Sequence, residues 1–381
     1  MRTHLEIKNE TEAKLLAEIH KRTDFKGIRI QNLLKLPDLT LKTNSPIRFI
    51  VDKVVALPRF KDFDIVSIPQ IISVKNNFDV LNTPKDHPSR RESDTYYASP
   101  DMVLRTQMTD VWPFYLREPS IVKKLNNDGE AGALCFGKVY RKDEIDRNHF
   151  PAFHQIDGLY LCKREKRTIT QKDLVDVLVD IAKSLYGEKV EWKVIPDDFP
   201  YTHQSVEMDI MMNGNWLEIL GAGLVRDIVL ENLGVDPKVY NGWAFGFGLD
   251  RLAMIKMGIN DIRVLWSDDE RITRQFTSLD SKFKEVSKYP QAVRDISFIV
   301  GKGVGLNNYY EIVRDCGGNL IEEVKLLDTY DDEKKFGKDN ISYTFRVVYR
   351  SPERTLTSKE INDIHEQIRS KTVSELSAKL R

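Results

Sequence analysis

Two stretches of the chain decide its fold: KVYRKDEIDRNHFPAFHQ at Lys138–Gln155 and GWAFGFGLDRL at Gly242–Leu252. Each stretch places one arginine beside a short apolar segment, Arg141 in the first and Arg251 in the second. The glycines of the second stretch let backbone and a flat ligand approach closely. Two guanidinium groups from separate parts of the chain suit a bent polyphosphate, because each offers a planar fork of donors. The pattern therefore predicts a phosphate site assembled from two distant segments.

These two stretches resemble motifs 2 and 3 of class II aminoacyl-tRNA synthetases. The sequence in and around them resembles the phenylalanyl-tRNA synthetase family in particular. The segments that carry this resemblance are FHQIDGLYL, WLEILGAG, GWAFGFGLDR and GINDIRVLW. The resemblance covers roughly residues 45–381 and points to the single-chain, mitochondrial-type members. It implies an α+β fold, in which a class II synthetase antiparallel sheet flanked by helices is followed by a ferredoxin-like split βαβ domain.

Composition places the chain among globular proteins of two or three domains. Its 381 residues are 30% charged and 41% hydrophobic, and the formal net charge is zero. A neutral chain gives no support to nucleic-acid binding, although a local basic face balanced elsewhere is compatible with it. The three cysteines are widely spaced, which is typical of free thiols in a reducing compartment. No apolar run approaches the length of a membrane span, so no membrane association is expected.

The N-terminal sequence bears on the cellular compartment. The first 20 residues contain several glutamates and no small-residue cleavage site. These features argue against a secretory signal and against an Arg-rich transit peptide, so a cytoplasmic protein is expected. A mitochondrial or plastid matrix protein would look the same after removal of its leader, and that location is the alternative.

Helix and strand signals divide the chain into four parts. An N-terminal segment, residues 1–44, is expected to hold a short helix at about Glu10–Arg22 and apolar connections. A catalytic domain is expected at 45–275, a polar linker suited to a hinge at 276–288, and an anticodon-binding domain at 289–381. In the last part, the order strand, helix, strand, strand, helix is typical of a ferredoxin-like sandwich.

Local signals predict three helices in the catalytic part. One is predicted after Pro46, with an early end or a kink at Pro58. A second is predicted to open at Thr170, and a third to close at Gly258. A strand is expected over residues 103–109.

The helix–strand unit that starts at Pro46 resembles class II motif 1, which usually lies at a dimer interface. An ordinary helix–strand unit would have the same pattern. Both a monomer and a homodimer are therefore compatible with the sequence.

The resemblance assigns an ATP site to the two arginine-bearing stretches. It implies that Arg141 and Arg251 stabilise charge on the α- and γ-phosphates, that Phe153 stacks on adenine, and that Glu218 holds Mg²⁺. The implied ATP-binding residues are Arg141, Asp143, His149, Phe153, Glu218 and Arg251. Each of them taken singly also fits an ordinary surface or core position, whereas their order and spacing favour the functional interpretation.

Alternate residues of two segments form the expected amino-acid pocket. Gln155 and Asp157 face one side of a strand and suit an ammonium group, while Phe199 and Tyr201 offer aromatic walls for a phenyl ring. The resemblance implies that Ala244 leaves room for phenylalanine. The complete predicted set is Gln107, Thr109, Trp112, Gln155, Asp157, Phe199, Tyr201, Ala244 and Phe245.

Several positions near this pocket depart from the family pattern. The family usually has His at Gln107, Ser at Thr109, Gln at Trp112, Glu at Asp157, Glu at Asp250, Glu at His203 and His at Arg226. The ATP site is therefore kept better than the amino-acid site. This asymmetry leaves open an altered amino-acid choice, a weakened activity, or a divergent lineage that has re-optimised its pocket.

The resemblance implies phenylalanine–tRNA ligase activity, with ATP and Mg²⁺, phenylalanine and tRNA(Phe), and no separate β subunit. A non-catalytic tRNA-binding paralogue and a synthetase for another aromatic or modified amino acid are the alternatives. A basic tRNA-binding face is expected in the last domain from Arg294, Arg346, Arg350, Arg354 and Lys359. Basic residues that merely keep a strand face solvated are the competing explanation.

Overall fold

Three sheets organise the described residues of the computed structural model, which describes residues 2–8, 10–212, 214–285, 289–351 and 353–381. The first part holds an eight-stranded sheet and a small three-stranded sheet. Its strands are β1 (His4–Glu6), β2 (Asp64–Ser67), β3 (Ile71–Ser73), β4 (Tyr97–Ser99), β5 (Met102–Leu104), β6 (Glu130–Tyr140), β7 (Ala152–Lys163), β8 (Trp192–Pro196), β9 (Thr202–Met212), β10 (Asn215–Val225) and β11 (Tyr240–Gly248). Its helices are α1 (Glu10–Ile19), α2 (Phe25–Lys35), α3 (Pro46–Val55), α4 (Val111–Tyr115), α5 (Pro119–Asp128), α6 (Gln171–Tyr186), α7 (Asp227–Asn232), α8 (Leu249–Met257) and α9 (Glu270–Thr273).

The large sheet has the strand order β1-β2-β6-β7-β11-β10-β9-β8. Neighbours from β6 to β8 pair antiparallel, whereas β1 and β6 both run parallel to β2. The N-terminal strand β1 thereby occupies the outer edge of β2, the strand of the motif 1-like unit. The expected antiparallel sheet flanked by helices is confirmed.

Alternation along the central strand β11 separates the core from the functional face. Trp243, Phe245 and Phe247 point to one face, where they pack with buried side chains of α3, α6 and α8. Ala244 and Gly246 lie on the opposite face, because successive strand residues alternate. Their small size leaves open space above the centre of the sheet.

The three predicted helix boundaries of the catalytic part are confirmed. Helix α3 begins at Pro46, is capped by Ser45, and ends before Pro58. Both halves of the capping box of α6 are present, with Thr170 and Asp173 each accepting a backbone N–H of the other. Helix α8 ends at Gly258, whose φ of 73° lies in the left-handed region that favours glycine.

The N-terminal prediction was incomplete and one strand prediction was too long. Helix α1 ends at Ile19, and the expected apolar connection contains α2, which Asp24 caps through the N–H of Gly27. Over residues 103–109 only the start is strand β5, because a 3-10 turn begins at Met108. This turn, rather than a strand, brings the predicted pocket residue Thr109 to the sheet, where it bonds to Asp157.

The last part of the chain is a ferredoxin-like domain, as predicted. Its strands are β12 (Ala292–Gly301), β13 (Ile321–Tyr330), β14 (Asn340–Tyr349) and β15 (Lys379–Leu380), and its helices are α10 (Leu306–Gly317), α11 (Glu333–Phe336) and α12 (Ser358–Leu376). The sheet order is β13-β14-β12-β15, with all pairs antiparallel. The short strand β15 completes the split βαβ pattern and was not predicted. Among all helices of the described residues, none is long and apolar enough to cross a membrane.

The predicted linker at 276–288 is only partly linker-like. Phe276 and Leu279 are buried in the core of the large-sheet domain, and the ring of Phe283 lies 6.4 Å from that of Phe276. Residues 286–288 lie outside the described residues. A hinge between the two domains would therefore have to start after Leu279.

The ferredoxin-like domain packs against the loop between β6 and β7. Ile145 of that loop is buried in the domain's core, and its carbonyl accepts the backbone N–H of Val324 at 2.7 Å. Arg314 of α10 donates to the carbonyls of Asp143 and Glu144 at 2.5 and 2.6 Å. The loop that carries three predicted ATP residues, Arg141, Asp143 and His149, is thus held from the second domain.

A buried ion cluster supports the same contact from α2. Glu311 of α10 accepts a hydrogen bond from the Tyr96 hydroxyl at 2.6 Å and pairs with Arg29 at 3.4 Å. Arg29 also pairs with Asp315 at 2.8 Å, and Arg314 pairs with Glu311 inside α10. Charge complementarity therefore joins the two domains on both sides of the loop.

Candidate active site

A cavity of about 980 Å³ opens on the face of the large sheet that carries Ala244 and Gly246. Its walls come from β7, β9, β10, β11, the start of α8 and the loop after β6. Every residue that the sequence assigned to the ATP site or to the amino-acid site borders this cavity. The structure therefore brings the two predicted subsites together in one continuous space.

Arg141 lines the cavity directly after β6, near Tyr201 of β9's leading segment. Its Nε donates to the carbonyl of Thr106 at 3.0 Å, and its guanidinium lies 5.2 Å from the ring centre of Phe153. The side chain is exposed to the open cavity, yet protein surrounds the cavity on most sides, and this burial lowers the pKa of Arg141. Both Nη groups make no hydrogen bond with any described residue, so they are free to bind an anion.

Arg251 lies in the first turn of α8 and is exposed to the same cavity. Its guanidinium forms no hydrogen bond or ion pair within the described residues. The preceding residue, Asp250, is turned inward and accepts the backbone N–H of His154 at 2.6 Å. The Nε2 of His154 accepts the N–H of Leu39 at 3.0 Å, so its proton sits on Nδ1, facing Asp250 at 3.2 Å. This buried pair fixes the start of α8 to β7 and leaves Arg251 free.

His149 and Asp143 border the cavity from the loop that the second domain holds. The Nδ1 of His149 lies 2.9 Å from Asp146, and this hydrogen bond raises the pKa of the imidazole. A larger fraction of His149 is therefore charged near neutral pH, which suits a phosphate ligand. Asp143 faces the cavity while its carbonyl is bound by Arg314.

Two carboxylates face the cavity from neighbouring strands, Glu218 on β10 and Glu207 on β9. Burial and the negative charge of Glu218 raise the pKa of Glu207. Glu207 was not predicted, although it alternates with the buried residues Val206 and Met208, and that pattern could have identified it. Among the described residues, no group of three His, Cys, Asp or Glu side chains could hold a metal ion. The two carboxylates still fit Mg²⁺, which commonly takes few protein ligands and completes its shell with substrate phosphates.

Asp157 is the buried acid of the amino-acid end. Its Oδ1 accepts the indole N–H of Trp112 at 3.1 Å, and its Oδ2 accepts the hydroxyl of Thr109 at 2.9 Å. Burial raises the pKa of Asp157 to about 7, and the two hydrogen bonds oppose that rise. On the same strand, Gln155 accepts the N–H of Met108 at 3.2 Å. The carboxylate is therefore already oriented in the absence of a ligand.

Phe199 and Tyr201 form an aromatic wall beside this carboxylate. Their rings are 6.0 Å apart with an interplanar angle of 7°, and Tyr201 meets the indole of Trp112 edge-on at 5.7 Å. Phe199 lies over Gly221, where an added Cβ would come within 2.7 Å of the ring. Only a glycine therefore lets this ring lie so close to β10.

Two predicted pocket residues make contacts away from the centre of the cavity. The ring of Phe245 is 1% exposed and packs between Phe60, Trp243 and Phe247 in the helix-covered core. Phe245 borders the cavity, and its role in binding the amino acid stays a prediction. Gln107 borders the cavity, but its amide points to the carbonyl of Asn77 at 3.5 Å.

Two further departures from the family pattern lie outside the cavity wall. Arg226 pairs with Asp198 at 2.7 Å and donates to the carbonyl of Phe199 at 3.4 Å. It thereby braces the segment that carries the aromatic wall. His203 is exposed overall, and the partial burial of its imidazole ring lowers its pKa.

The predicted basic face of the second domain is largely paired internally. Arg346 pairs with Asp295, Arg350 with Glu322, Arg354 with Glu360, and Arg294 donates to Asn362. Arg350 lies near the interdomain contact, because Glu322 also binds Arg147 of the loop after β6. Lys359 is exposed at the start of α12.

Comparison with known families divides the chain between the domain of the eight-stranded sheet and the domain of the four-stranded sheet. Residues 32–276 match the class II core domain (F) of tRNA synthetases. Residues 287–381 match the ferredoxin-fold anticodon binding domain.

Curated proteins resemble the chain over most of its length. It is 37% identical to the chloroplastic/mitochondrial phenylalanine–tRNA ligase of Arabidopsis thaliana, over 85% of this chain and 73% of that protein. It is 32% identical to the mitochondrial enzyme of Saccharomyces cerevisiae, over 92% and 91% of the two chains. The alpha subunit from Clostridium perfringens is 36% identical over 72% of this chain and 81% of the subunit.

The organellar names of these relatives give no support to the cytoplasmic location expected from the N-terminal sequence. Three observations point to the same family. They are the cavity lined by Arg141 and Arg251, the two matched domains, and the identities to these relatives. The chain belongs to the class II phenylalanyl-tRNA synthetases, in the single-chain form that ends in a ferredoxin-fold anticodon-binding domain.

Proposed function

We propose that this chain is a phenylalanine–tRNA ligase that first forms phenylalanyl-adenylate and then charges tRNA(Phe). The observation that carries the proposal is one cavity that is lined by Arg141 and Arg251, whose Nη groups have no partner among the described residues, and by an aromatic wall beside a buried carboxylate. A phosphate chain and an aromatic amino acid would meet in this cavity. That arrangement fits the joining of a carboxylate to a nucleotide.

In the first step, a carboxylate oxygen of phenylalanine attacks the α-phosphorus of ATP and pyrophosphate leaves. Arg141, fixed by Thr106 and Phe153, is placed to neutralise the charge that develops on the α-phosphate. Arg251 would hold the γ-phosphate, and His149 would add a contact to the phosphate tail. Because Arg141 is held in place before the reaction, it needs little reorganisation in the transition state.

The adenine ring would stack on Phe153, whose other neighbour is Arg141. Asp143 would contact ATP from the same loop, where its backbone is held by Arg314. Glu218 and Glu207 would hold Mg²⁺, which lowers the repulsion between the phosphate oxygens and the attacking carboxylate when bound. This assignment makes β9 and β10 the metal side of the site.

The amino acid would bind with its ammonium group toward Asp157 and Gln155 and its ring between the aromatic wall and Ala244. Phe199 and Tyr201 bury apolar ring surface and offer edge and face contacts. Discrimination against tyrosine would rest on the apolar end of the pocket, which leaves an added hydroxyl unpaired, on the order of a hundredfold.

In the second step, a hydroxyl of the terminal adenosine of tRNA attacks the activated carbonyl, and AMP leaves. The ferredoxin-like domain would bind tRNA through Arg294, Arg346, Arg350, Arg354 and Lys359. Since its arginines have acidic or amide partners in the structure, tRNA would have to compete with those partners. The proposal needs no β subunit, because both domains lie in one chain.

We place the enzyme in a mitochondrial or plastid matrix and treat it as a monomer. Organellar relatives favour the compartment, and β1 covering the edge of β2 favours the monomer. Cell fractionation against matrix and cytosolic markers tests the first statement, and cytosolic recovery would reject it. Light scattering tests the second, and a mass near twice 44.1 kDa would reject it.

Amino-acid-dependent exchange of pyrophosphate into ATP tests the proposed activity. All standard amino acids and meta- and para-substituted phenylalanines are compared, with Arg251→Ala as the inactive control. Exchange that depends on phenylalanine supports the proposal. Exchange with a different amino acid moves the substrate, and none at all from folded protein that still binds tRNA supports the non-catalytic paralogue.

A further inference from the structure

The carboxylate of Asp157 is held by contacts to both of its oxygens. It is 3% exposed, and each of its two oxygens accepts one hydrogen bond, from Trp112 at 3.1 Å and from Thr109 at 2.9 Å. Across the strand pair, a Cβ on Gly246 would come within 3.1 Å of Oδ2. The carboxylate thus has donors on both oxygens and a glycine against it, which fixes its direction.

Trp112 joins this carboxylate to the aromatic wall. Its side chain is fully buried, with its N–H on Asp157 and its ring edge-on to Tyr201 at 81°. One rigid indole therefore sets the position of the group expected to bind the ammonium and of a ring expected to bind the side chain. Both Trp112 and Asp157 depart from the family pattern, and the two departures are in direct contact.

We propose that Trp112 is a positioning residue for amino-acid recognition, whose indole N–H holds the Asp157 carboxylate in the orientation that receives the substrate ammonium group. This inference rests on the proposed function. Asp157 is one methylene shorter than glutamate and has less freedom to reach a ligand. The Trp112 donor holds the shorter carboxylate in one direction, which compensates for its shorter length. A fixed direction is what a charge-assisted hydrogen bond to the substrate requires.

The charged groups around Asp157 influence how its pKa responds when a hydrogen-bond donor is removed. Asp110, from the turn before α4, is fully buried, with the backbone N–H of Gln107 beside its carboxylate. Asp110 and Asp157 repel each other when both are ionised, and Arg105 and Arg141 offset that repulsion. Tyr201 and Cys135 face the same carboxylate from the aromatic wall and from β6.

The direction of the pH effect follows from these neighbours. Burial raises the pKa of Asp157 to about 7, and the bonds from Trp112 and Thr109 lower it. Removing either donor raises the pKa further, so less of the carboxylate is ionised at neutral pH. Binding of an ammonium group then weakens at neutral pH and recovers as the pH rises.

Trp112→Phe removes the indole N–H and keeps an aromatic ring. We expect the KM for phenylalanine in pyrophosphate exchange to rise roughly tenfold, the loss expected for one hydrogen bond to a charged group, while the KM for ATP stays within about twofold. The acidic limb of kcat/KM for phenylalanine should move to higher pH. Thr109→Val should move the same limb while leaving the wall intact, which keeps the test valid if Trp112→Phe folds poorly.

Tyr115→Phe is the matched control. It removes a buried polar hydrogen from the same short helix, where the hydroxyl bonds to Asp64 and to the carbonyl of Gly132 away from the cavity. Its pH profile should match that of the parent chain. Equal shifts in all three variants would overturn the proposal, because they would reflect a loose helix and not the donor to Asp157.

A binding measurement separates this inference from the proposed function. Calorimetric titration uses phenylalaninol, which keeps the ammonium group, and 3-phenylpropionate, which lacks it. Trp112→Phe should weaken phenylalaninol roughly tenfold and leave 3-phenylpropionate unchanged. Equal weakening of both would assign Trp112 to the wall alone and overturn the proposal. If the parent chain binds neither probe and exchanges with no amino acid, the proposed function itself fails.

Discussion

Glu311→Gln tests whether the ferredoxin-like domain holds the ATP loop as the structure shows. Glu311 is 2% exposed and meets Tyr96 and Arg29 across the interface, at 2.6 and 3.4 Å. Losing one member of a buried ion cluster costs about 3–5 kcal/mol. Asp315 stays beside Arg29 at 2.8 Å, so we expect the smaller loss of about 2 kcal/mol in docking.

That loss corresponds to a roughly 30-fold increase in the undocked fraction. The backbone N–H of Val324 reports it directly, because its partner is the carbonyl of Ile145 in the other domain, at 2.7 Å. Hydrogen exchange at Val324 should therefore accelerate about 30-fold in the variant, under conditions where exchange follows the opening equilibrium. Phe345, in the central strand β14, should keep its rate, because its protection needs the folded domain and not the interface.

Asp295→Asn is the matched control for this experiment. It removes an acidic partner of Arg346 in the same domain, where both side chains are nearly half exposed and away from the interface. Val324 exchange should match that of the parent chain. Equal rates at Val324 in Glu311→Gln and in the parent would refute the argument that the ion cluster holds the domains together.

Three further predictions follow from single contacts. Gly158→Ala should lower the free energy of unfolding of the large-sheet domain by about 1–3 kcal/mol in chemical denaturation, because its Cβ would lie 2.3 Å from the buried Phe245 ring; an unchanged midpoint would contradict this packing. Thr170→Ala should cost about 1 kcal/mol by removing half of the capping box, whereas Thr170→Ser should restore most of it. Arg251→Ala should leave the unfolding midpoint nearly unchanged, because the guanidinium has no partner in the described residues. The same variant should lower kcat/KM for ATP by about a hundredfold. A large loss of stability instead would assign Arg251 a structural role.

Local signals were sufficient for much of the fold. The ends of α3, α6 and α8 follow from Pro46, Thr170 and Gly258, because capping and the left-handed turn depend on residues within four positions of one another. Helix α2 was not predicted because its apolar pattern is weak and Gly27, a poor helix former, lies in its first turn. Strand β15 was not predicted, because a strand of two residues shows no alternation of polar and apolar side chains.

The residues that line the cavity were largely predictable from the sequence, whereas the contacts among them were not. Arg141 and Arg251 are visible in the sequence because their spacing carries the resemblance. The bond from Trp112 to Asp157 joins residues on different elements, and no local pattern encodes it. The burial of the Phe245 ring in the helix-covered core was not predictable, because the face to which a strand residue points depends on which side the helices cover.

The most direct test of the central claim is charging of tRNA(Phe) by the purified chain with labelled phenylalanine and ATP, alongside the Arg251→Ala variant. Phenylalanyl-tRNA that accumulates with the parent chain and is nearly absent with the variant is the predicted result. Failure of the parent chain to charge tRNA(Phe), with the protein folded and ATP present, would contradict the assignment.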